Sequence, residues 1–65
     1  MLREIGELSG IVWRLLKANG EMTTAAIKKE TNQSDFMVGA AVGWLAREDK
    51  LNFKKSARII KVSLK

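Results

Sequence analysis

The chain has 65 residues, with no cysteine and no histidine, and its 12 basic and 7 acidic side chains give a net charge of +5. A chain of this length is expected to form a single domain, residues 1–65, with room for three or four secondary-structure elements. Without imidazole or thiolate groups it offers no ligands for zinc, haem or iron–sulfur clusters and no cysteine or histidine nucleophile. We therefore expect no metal and no cofactor.

The sequence shows no signal for secretion or membrane insertion. Its start, MLREIGELSG, contains two glutamates and lacks the apolar segment of a signal peptide. The longest apolar run, Phe36 to Ala46, is eleven residues long, and a membrane-spanning helix needs about 20. These features predict a cytoplasmic protein with no membrane partner.

The positive charge is concentrated at the C-terminal end of the chain. Residues 1–49 contain six basic and seven acidic side chains, whereas residues 50–65 contain six basic side chains and no acid. A one-sided basic patch is typical of proteins that bind nucleic acid or another anionic surface. A lysine-rich, solvated hairpin without any partner would show the same composition, so charge alone leaves both interpretations open.

The first predicted helix runs from Leu2 to Ala18. Its apolar residues recur at spacings of three and four, which places them on one face: Ile5, Leu8, Val12, Leu15 and Leu16. Asn19-Gly20 follows this helical pattern and predicts a left-handed C-cap. The apolar residues of the helix, including Leu2, Ile11 and Trp13, spread over about 200° of the helical wheel, where a surface helix needs little more than about 100°.

A second, short helix is predicted over the string TAAIKKET, with Thr23 or Thr24 as its N-cap. Ile27 is expected to point inward, and Lys28 and Lys29 outward. The polar string NQS ends this helix.

Ser34 is predicted to cap the third helix, and Asp35 lies favourably beside the positive end of its dipole. The helix is predicted to end near REDK. Its expected core residues are Val38, Ala41, Val42 and Leu45.

Period-two alternation replaces the helical pattern after Lys50. Leu51 and Phe53 are predicted to share one face of a strand, and Ile60, Val62 and Leu64 one face of the next. The short KSA segment between them fits a tight hairpin turn.

Two helices joined by a short turn and followed by a basic hairpin describe a winged helix-turn-helix. This is an α+β fold, mostly α, with three helices and a C-terminal β-hairpin wing. The strings GWLAREDKL and IVWRLLKANG, with VSL near the end, resemble a family of short prokaryotic winged helix-turn-helix proteins of uncharacterised function. The resemblance spans nearly the whole chain. The resemblance implies the winged-helix fold and raises the hypothesis of a homodimer. It implies no biochemical role.

The third helix lacks the side chains that read DNA bases. Its side opposite the predicted core should enter the major groove and offer groups such as Arg, Asn or Gln to base edges. That side carries Phe36, Gly39, Ala40, Gly43 and, only near the end, Arg47. We therefore do not expect sequence-specific readout by this helix.

The two glycines of this helix require an explanation, because each costs roughly 0.5–1 kcal/mol relative to alanine. Gly39 and Gly43 are four residues apart and form a smooth strip, which allows close approach of another group. That group is either part of the same chain, such as Trp44 or the wing, or part of another chain. A small fold with two tryptophans and a wide apolar face also fits a homodimer. The candidate interface residues are Trp13, Phe36, Gly39, Ala40, Gly43 and Trp44.

No catalytic site is indicated by the sequence. Glu4 with Glu7 and Glu48 with Asp49 are paired carboxylates, but they lie where a solvated helix end and a turn are expected. There is no Gly-rich phosphate loop and no nucleophile–base pair. We expect a protein that is not an enzyme and that has no small-molecule ligand.

Two functional hypotheses remain. In the first, the chain binds DNA with low sequence specificity, mainly through its basic wing, in a role connected with transcription. The candidate phosphate-binding residues are Lys28, Lys29, Arg47, Lys50, Lys54, Lys55, Arg58 and Lys61. In the second, the chain is a protein-interaction or homodimerisation module that uses the winged-helix fold without reading DNA.

Overall fold

The structure is a computed structural model that describes residues 1–65. The elements in chain order are α1 Leu2–Asn19, β1 Met22–Thr23, α2 Thr24–Thr31, α3 Asp35–Arg47, β2 Leu51–Ser56 and β3 Ile59–Leu64. The three strands form one antiparallel sheet in the order β1-β3-β2. The predicted fold class, a mostly helical winged helix-turn-helix, is confirmed. No helix is both long enough and apolar enough to cross a bilayer.

The strand β1 was not predicted from the sequence, which indicated only a two-stranded hairpin. Its two residues pair with β3, Met22 with Val62 and Thr23 with Lys61. Two residues are too few to show an alternating pattern, so this strand is identified only by its pairing with β3 in the folded chain. The pairing makes β3 the central strand and leaves β2 at an edge of the sheet.

The helix caps follow the local chemistry of the sequence. Thr23, in an extended conformation, accepts a hydrogen bond from the Ala26 N–H (3.0 Å), so Thr23 is the N-cap of α2. Ser34 accepts from the Met37 N–H (3.1 Å) and caps α3 as predicted. Gly20 ends α1 with φ +75°, but its ψ of −139° lies outside the left-handed helical region that was predicted.

The core joins one face of α1 to α2, α3 and the base of the hairpin. Val12, Ile27 and Val62 have no exposed surface at all. The four predicted core residues of α3 are buried, and so are the predicted α1 residues except Leu15, which is half-buried. Leu2 and Ile11 are exposed, so the wide apolar face of α1 exceeds what this core uses.

The hairpin turn lies further along the chain than the sequence suggested. Lys55 and Ser56, which were assigned to the turn, belong to β2 and pair with Ile60 and Ile59. The turn itself consists of Ala57 and Arg58. The prediction of a KSA turn was wrong because Lys55 and Ser56 continue the ladder, and the chain reverses in the minimum of two residues.

Ala57 has φ +54°, a left-handed conformation that costs an alanine about 1–2 kcal/mol. Replacing it by glycine removes this cost but adds unfolded-state entropy of about 0.4–1 kcal/mol. We expect Ala57→Gly to raise the free energy of unfolding by about 0.5 kcal/mol, as measured by urea denaturation. Ala18→Gly, the same change in the α1 helix, should lower that free energy. Destabilisation by both variants would show that Ala57 is not strained.

Candidate nucleic-acid interface

The outward face of α3 is open and carries no group suited to reading bases. Phe36 is 63% exposed, and Ala40 is half-buried. Gly39 and Gly43 are both exposed, and a Cβ built on either would meet no atom within 4 Å beyond its chain neighbours and its own helix backbone. The hypothesis that Trp44 or the wing covers this glycine strip within the same chain is therefore wrong.

The two tryptophans instead contact α1 and the core. The ring of Trp44 lies 3.8 Å from the position a Cβ would take on Gly6, and the side chain remains 38% exposed. Trp13 is half-buried against the core, and the Lys17 ammonium group lies 5.0 Å from its ring centroid. Trp13 thus has neighbours within its own chain, whereas Trp44 retains a large uncovered surface. Their predicted role in an interface between chains stays a prediction.

Three of the eight candidate phosphate-binding residues are in ion pairs with carboxylates. These pairs are Lys28–Asp35 (3.0 Å), Lys50–Glu48 (3.7 Å) and Lys54–Glu21 (3.7 Å). Exposed ion pairs of this kind contribute only about 0–1 kcal/mol, but each carboxylate lowers the local positive potential. The candidates without a carboxylate partner are Lys29, Arg47, Lys55, Arg58 and Lys61.

The basic residues of the hairpin are divided between its two faces and its tip. Lys54 pairs with Lys61, which places both side chains on the outer face of the sheet. Lys55 pairs with Ile60 on the opposite face, which is the face that buries Val62. Arg58 lies in the turn. The wing therefore presents cations in several directions and not as one flat patch.

A groove of about 580 Å³ separates the hairpin from α2 and α3. Its apolar wall includes Val42 of α3 and Phe53 and Ile60 of the hairpin. Phe53 is 49% exposed and Ile60 is 37% exposed, although both lie on the core face of the sheet. The sequence predicted that face correctly, but not that the hairpin extends past the helices and leaves these two side chains uncovered.

The remaining walls of the groove are small or polar. Gly39 and Ala25 contribute only small residues to the helical side, and the ion pair between Lys28 and Asp35 lies at the same side. From the sequence, Asp35 is interpreted as a helix-dipole partner. Its position in the groove depends on how α2 and α3 meet, which no local pattern reports.

The carboxylate pairs considered for catalysis lie on the exposed surface, and none of them lines the groove. Each of their members is in an ion pair: Glu4 with the N-terminal amine, Glu7 with Arg3, Glu48 with Lys50 and Asp49 with Lys65. A hydrogen bond from the N-terminal ammonium group lowers the pKa of Glu4.

A helix-turn-helix formed by α2 and α3, supported by α1 and followed by a β-hairpin, defines the class of winged helix-turn-helix domains. The model of the family described as winged helix-turn-helix domain (DUF2582) matches residues 1–64, and the chain belongs to this family. The family resemblance predicted from the sequence is thereby confirmed.

Two similar proteins support the same assignment. Uncharacterized protein MJ1608 of Methanocaldococcus jannaschii is 35% identical over 68 residues, which cover 100% of this chain and 96% of that protein. The solution NMR structure of protein BT2368 from Bacteroides thetaiotaomicron superposes with a TM-score of 0.84 at 27% sequence identity. The superposition covers 95% of this chain and 76% of that one. The winged-helix fold is in general a nucleic-acid-binding fold.

Proposed function

We propose that this chain binds DNA with low sequence specificity, mainly through its β-hairpin wing, in a role connected with transcription. The observation that carries the proposal is the contrast between two surfaces. The outward face of α3 offers Phe36 and two open glycines, whereas the wing offers three cations without carboxylate partners, Lys55, Arg58 and Lys61. Phosphate contacts position a protein on DNA without reading its sequence.

The arrangement of these cations supports a wing that enters between two phosphate backbones. Lys55 lies on one face of the hairpin, Lys61 on the other, and Arg58 at the tip. A hairpin in the minor groove has a phosphate backbone on either side, so cations on both faces are useful there. Lys29 on α2 adds a further candidate contact, because this helix crosses the backbone in related folds.

Salt dependence tests this proposal directly. Each phosphate contact on duplex DNA contributes about −0.9 to the slope of log K against log salt. Three to five contacts should therefore weaken binding by about 40-fold to about 500-fold between 50 and 200 mM salt. The slope can be measured by fluorescence anisotropy with a short labelled duplex of arbitrary sequence.

Amide chemical-shift mapping should locate the contacts. With isotope-labelled protein at 50 mM salt, duplex DNA is expected to perturb Lys55, Arg58, Lys61 and Lys29, and to leave the centre of α3 unperturbed. Absence of any perturbation at low salt would contradict DNA binding. Perturbation centred on Gly39 to Gly43 would contradict the assignment of the wing as the main contact.

A second candidate function, homodimerisation or protein interaction, is supported by uncovered apolar surface. Leu2 is 73% exposed, Phe36 63% and Trp44 38%, and no group of the chain covers the glycine strip. A second copy that covers α3 would bury this surface by the isologous contact usual in dimers. Neither candidate function assigns a catalytic role to any residue.

Sedimentation or size-exclusion measurements over a wide concentration range test the homodimer. We expect the wild type to dimerise with increasing concentration and Gly43→Arg to remain monomeric, because the arginine occupies the open strip. Gly43 is preferred to Gly39, which also lines the groove. Ala18→Arg, on exposed α1 surface, is the matched control and should dimerise normally. A wild type that stays monomeric at millimolar concentration excludes the homodimer.

A further inference from the structure

We propose that the groove between the hairpin and helices α2 and α3 holds an unpaired nucleobase stacked on Phe53. The chain would then bind single-stranded or locally unpaired nucleic acid more tightly than intact duplex. This inference rests on the proposed nucleic-acid function and specifies its substrate. Its occupant is defined by chemistry: a flat, uncharged aromatic base attached to a negatively charged backbone.

The apolar part of the groove suits a base. Its volume of about 580 Å³ lies within the range of roughly 300–1,000 Å³ that small-ligand pockets occupy. Phe53 is 49% exposed in the groove, next to Val42 and Ile60. Stacking of a base on an aromatic side chain changes affinity by about 5-fold to about 150-fold per base and tolerates any sequence.

The cations of the wing lie where the backbone of such a nucleotide would be. Lys55 is two residues after Phe53 on the same face of β2, about 7 Å away along the strand. Arg58 follows in the turn, and neither residue has a carboxylate partner. A base on Phe53 therefore leaves its phosphates beside two free cations at the outer end of the groove.

The opposite wall of the groove excludes phosphate but accepts a base edge. Asp35 lies there in an ion pair with Lys28 at 3.0 Å. A carboxylate repels a phosphate group, yet it accepts hydrogen bonds from the amino or ring N–H groups of a base, and the ammonium donates to base carbonyls. This wall explains how an acidic residue can belong to a nucleic-acid interface.

Duplex DNA cannot fill the groove without losing a base pair. Extruding a base requires unstacking and unpairing, and this cost is absent in a single strand. Electrostatics alone favours the opposite order, since the salt slope per contact is about −0.9 for duplex and about −0.7 for single strands. A preference for single strands would therefore indicate that a base binds in the groove, because the charge of the wing alone would favour the duplex.

The test compares one labelled 12-nucleotide strand with the same strand in a duplex, by fluorescence anisotropy at 50 and 200 mM salt. We expect the single strand to bind at least about 10-fold more tightly, with the preference increasing at 200 mM salt. Phe53→Leu, which keeps an apolar side chain but removes the aromatic face, should weaken single-strand binding about 10-fold and leave duplex binding unchanged. Phe36→Leu, the same change on the open face of α3, should alter neither.

A second measurement needs no variant. In the wild type, the ring current of a stacked base should shift the methyl resonances of Val42 and Ile60 when the single strand is added, and the duplex should leave them unshifted. Unshifted methyl groups, equal or tighter duplex binding, or equal weakening of both ligands by Phe53→Leu would each overturn the inference. In those cases duplex binding through the wing would still stand. Binding of neither ligand would overturn the proposed function as well.

Discussion

Ile27→Ala should leave much of the protein unfolded at 37 °C. Ile27 has no exposed surface and is the only buried residue of α2. Truncating a buried isoleucine to alanine costs about 2–5 kcal/mol, since it removes apolar contacts and leaves a cavity. At roughly 0.05–0.15 kcal/mol per residue, a domain of this size has a total stability of only about 3–10 kcal/mol. This one substitution therefore removes a large share of the free energy of unfolding.

Chemical denaturation followed by far-UV circular dichroism measures this effect as a shift in the midpoint. Ile59→Ala is the matched control, because it makes the same chemical change at a residue that is 52% exposed on the hairpin. We expect the control to change the free energy of unfolding by less than about 1 kcal/mol. Similar midpoints for the two variants would mean that Ile27 is not a core residue.

The features that the sequence predicted are those that neighbouring residues determine. A helix places residues three and four apart on one face, so the sequence of α3 alone predicts which of its faces is buried. The same holds for Ser34, whose hydroxyl accepts a hydrogen bond from a residue three positions later. Such features need no knowledge of the rest of the fold.

The features that the sequence did not predict depend on elements that meet only in the folded chain. Strand β1 exists because two residues after α1 align with β3. Lys54 forms an ion pair with Glu21, 33 positions earlier in the chain, so its availability for phosphate could not be judged from the local charge. The groove arises because Phe53 extends past the helices that cover Leu51 on the same face. No periodic pattern distinguishes a covered strand position from an uncovered one.

The open α3 face and the groove distinguish this winged helix from one that reads bases. In base-reading members of the class, polar side chains on the recognition helix read base edges within the major groove. Here that face carries Phe36 and two glycines, and the aromatic side chain that lines the groove, Phe53, lies on the hairpin. Gly39 lies on both surfaces, since it belongs to the open strip and lines the groove. Because glycine has no side chain, this position leaves space in the groove.

The double variant Lys55→Glu/Arg58→Glu should lose most of its affinity for DNA. Removing two phosphate contacts at 50 mM salt eliminates the release of about 1.8 counterions, which corresponds to roughly 200-fold in affinity, and the new carboxylates add repulsion. Because the term is electrostatic, the loss should shrink to roughly 20-fold at 200 mM salt. Both residues are exposed and have no carboxylate partner, so the fold should be retained.

The control for this variant is Arg14→Glu/Lys17→Glu on the exposed side of α1. Each charge reversal lowers the net charge by two, so both double variants carry +1 in place of +5. If the wing cations contact phosphates directly, only the hairpin variant should lose affinity for DNA. Exposed charges far from the contact have little effect, because salt at 0.1 M screens them beyond about 10 Å. Equal losses of affinity in the two variants would mean that binding depends on the net charge of the domain. The hairpin would then have no special role in binding.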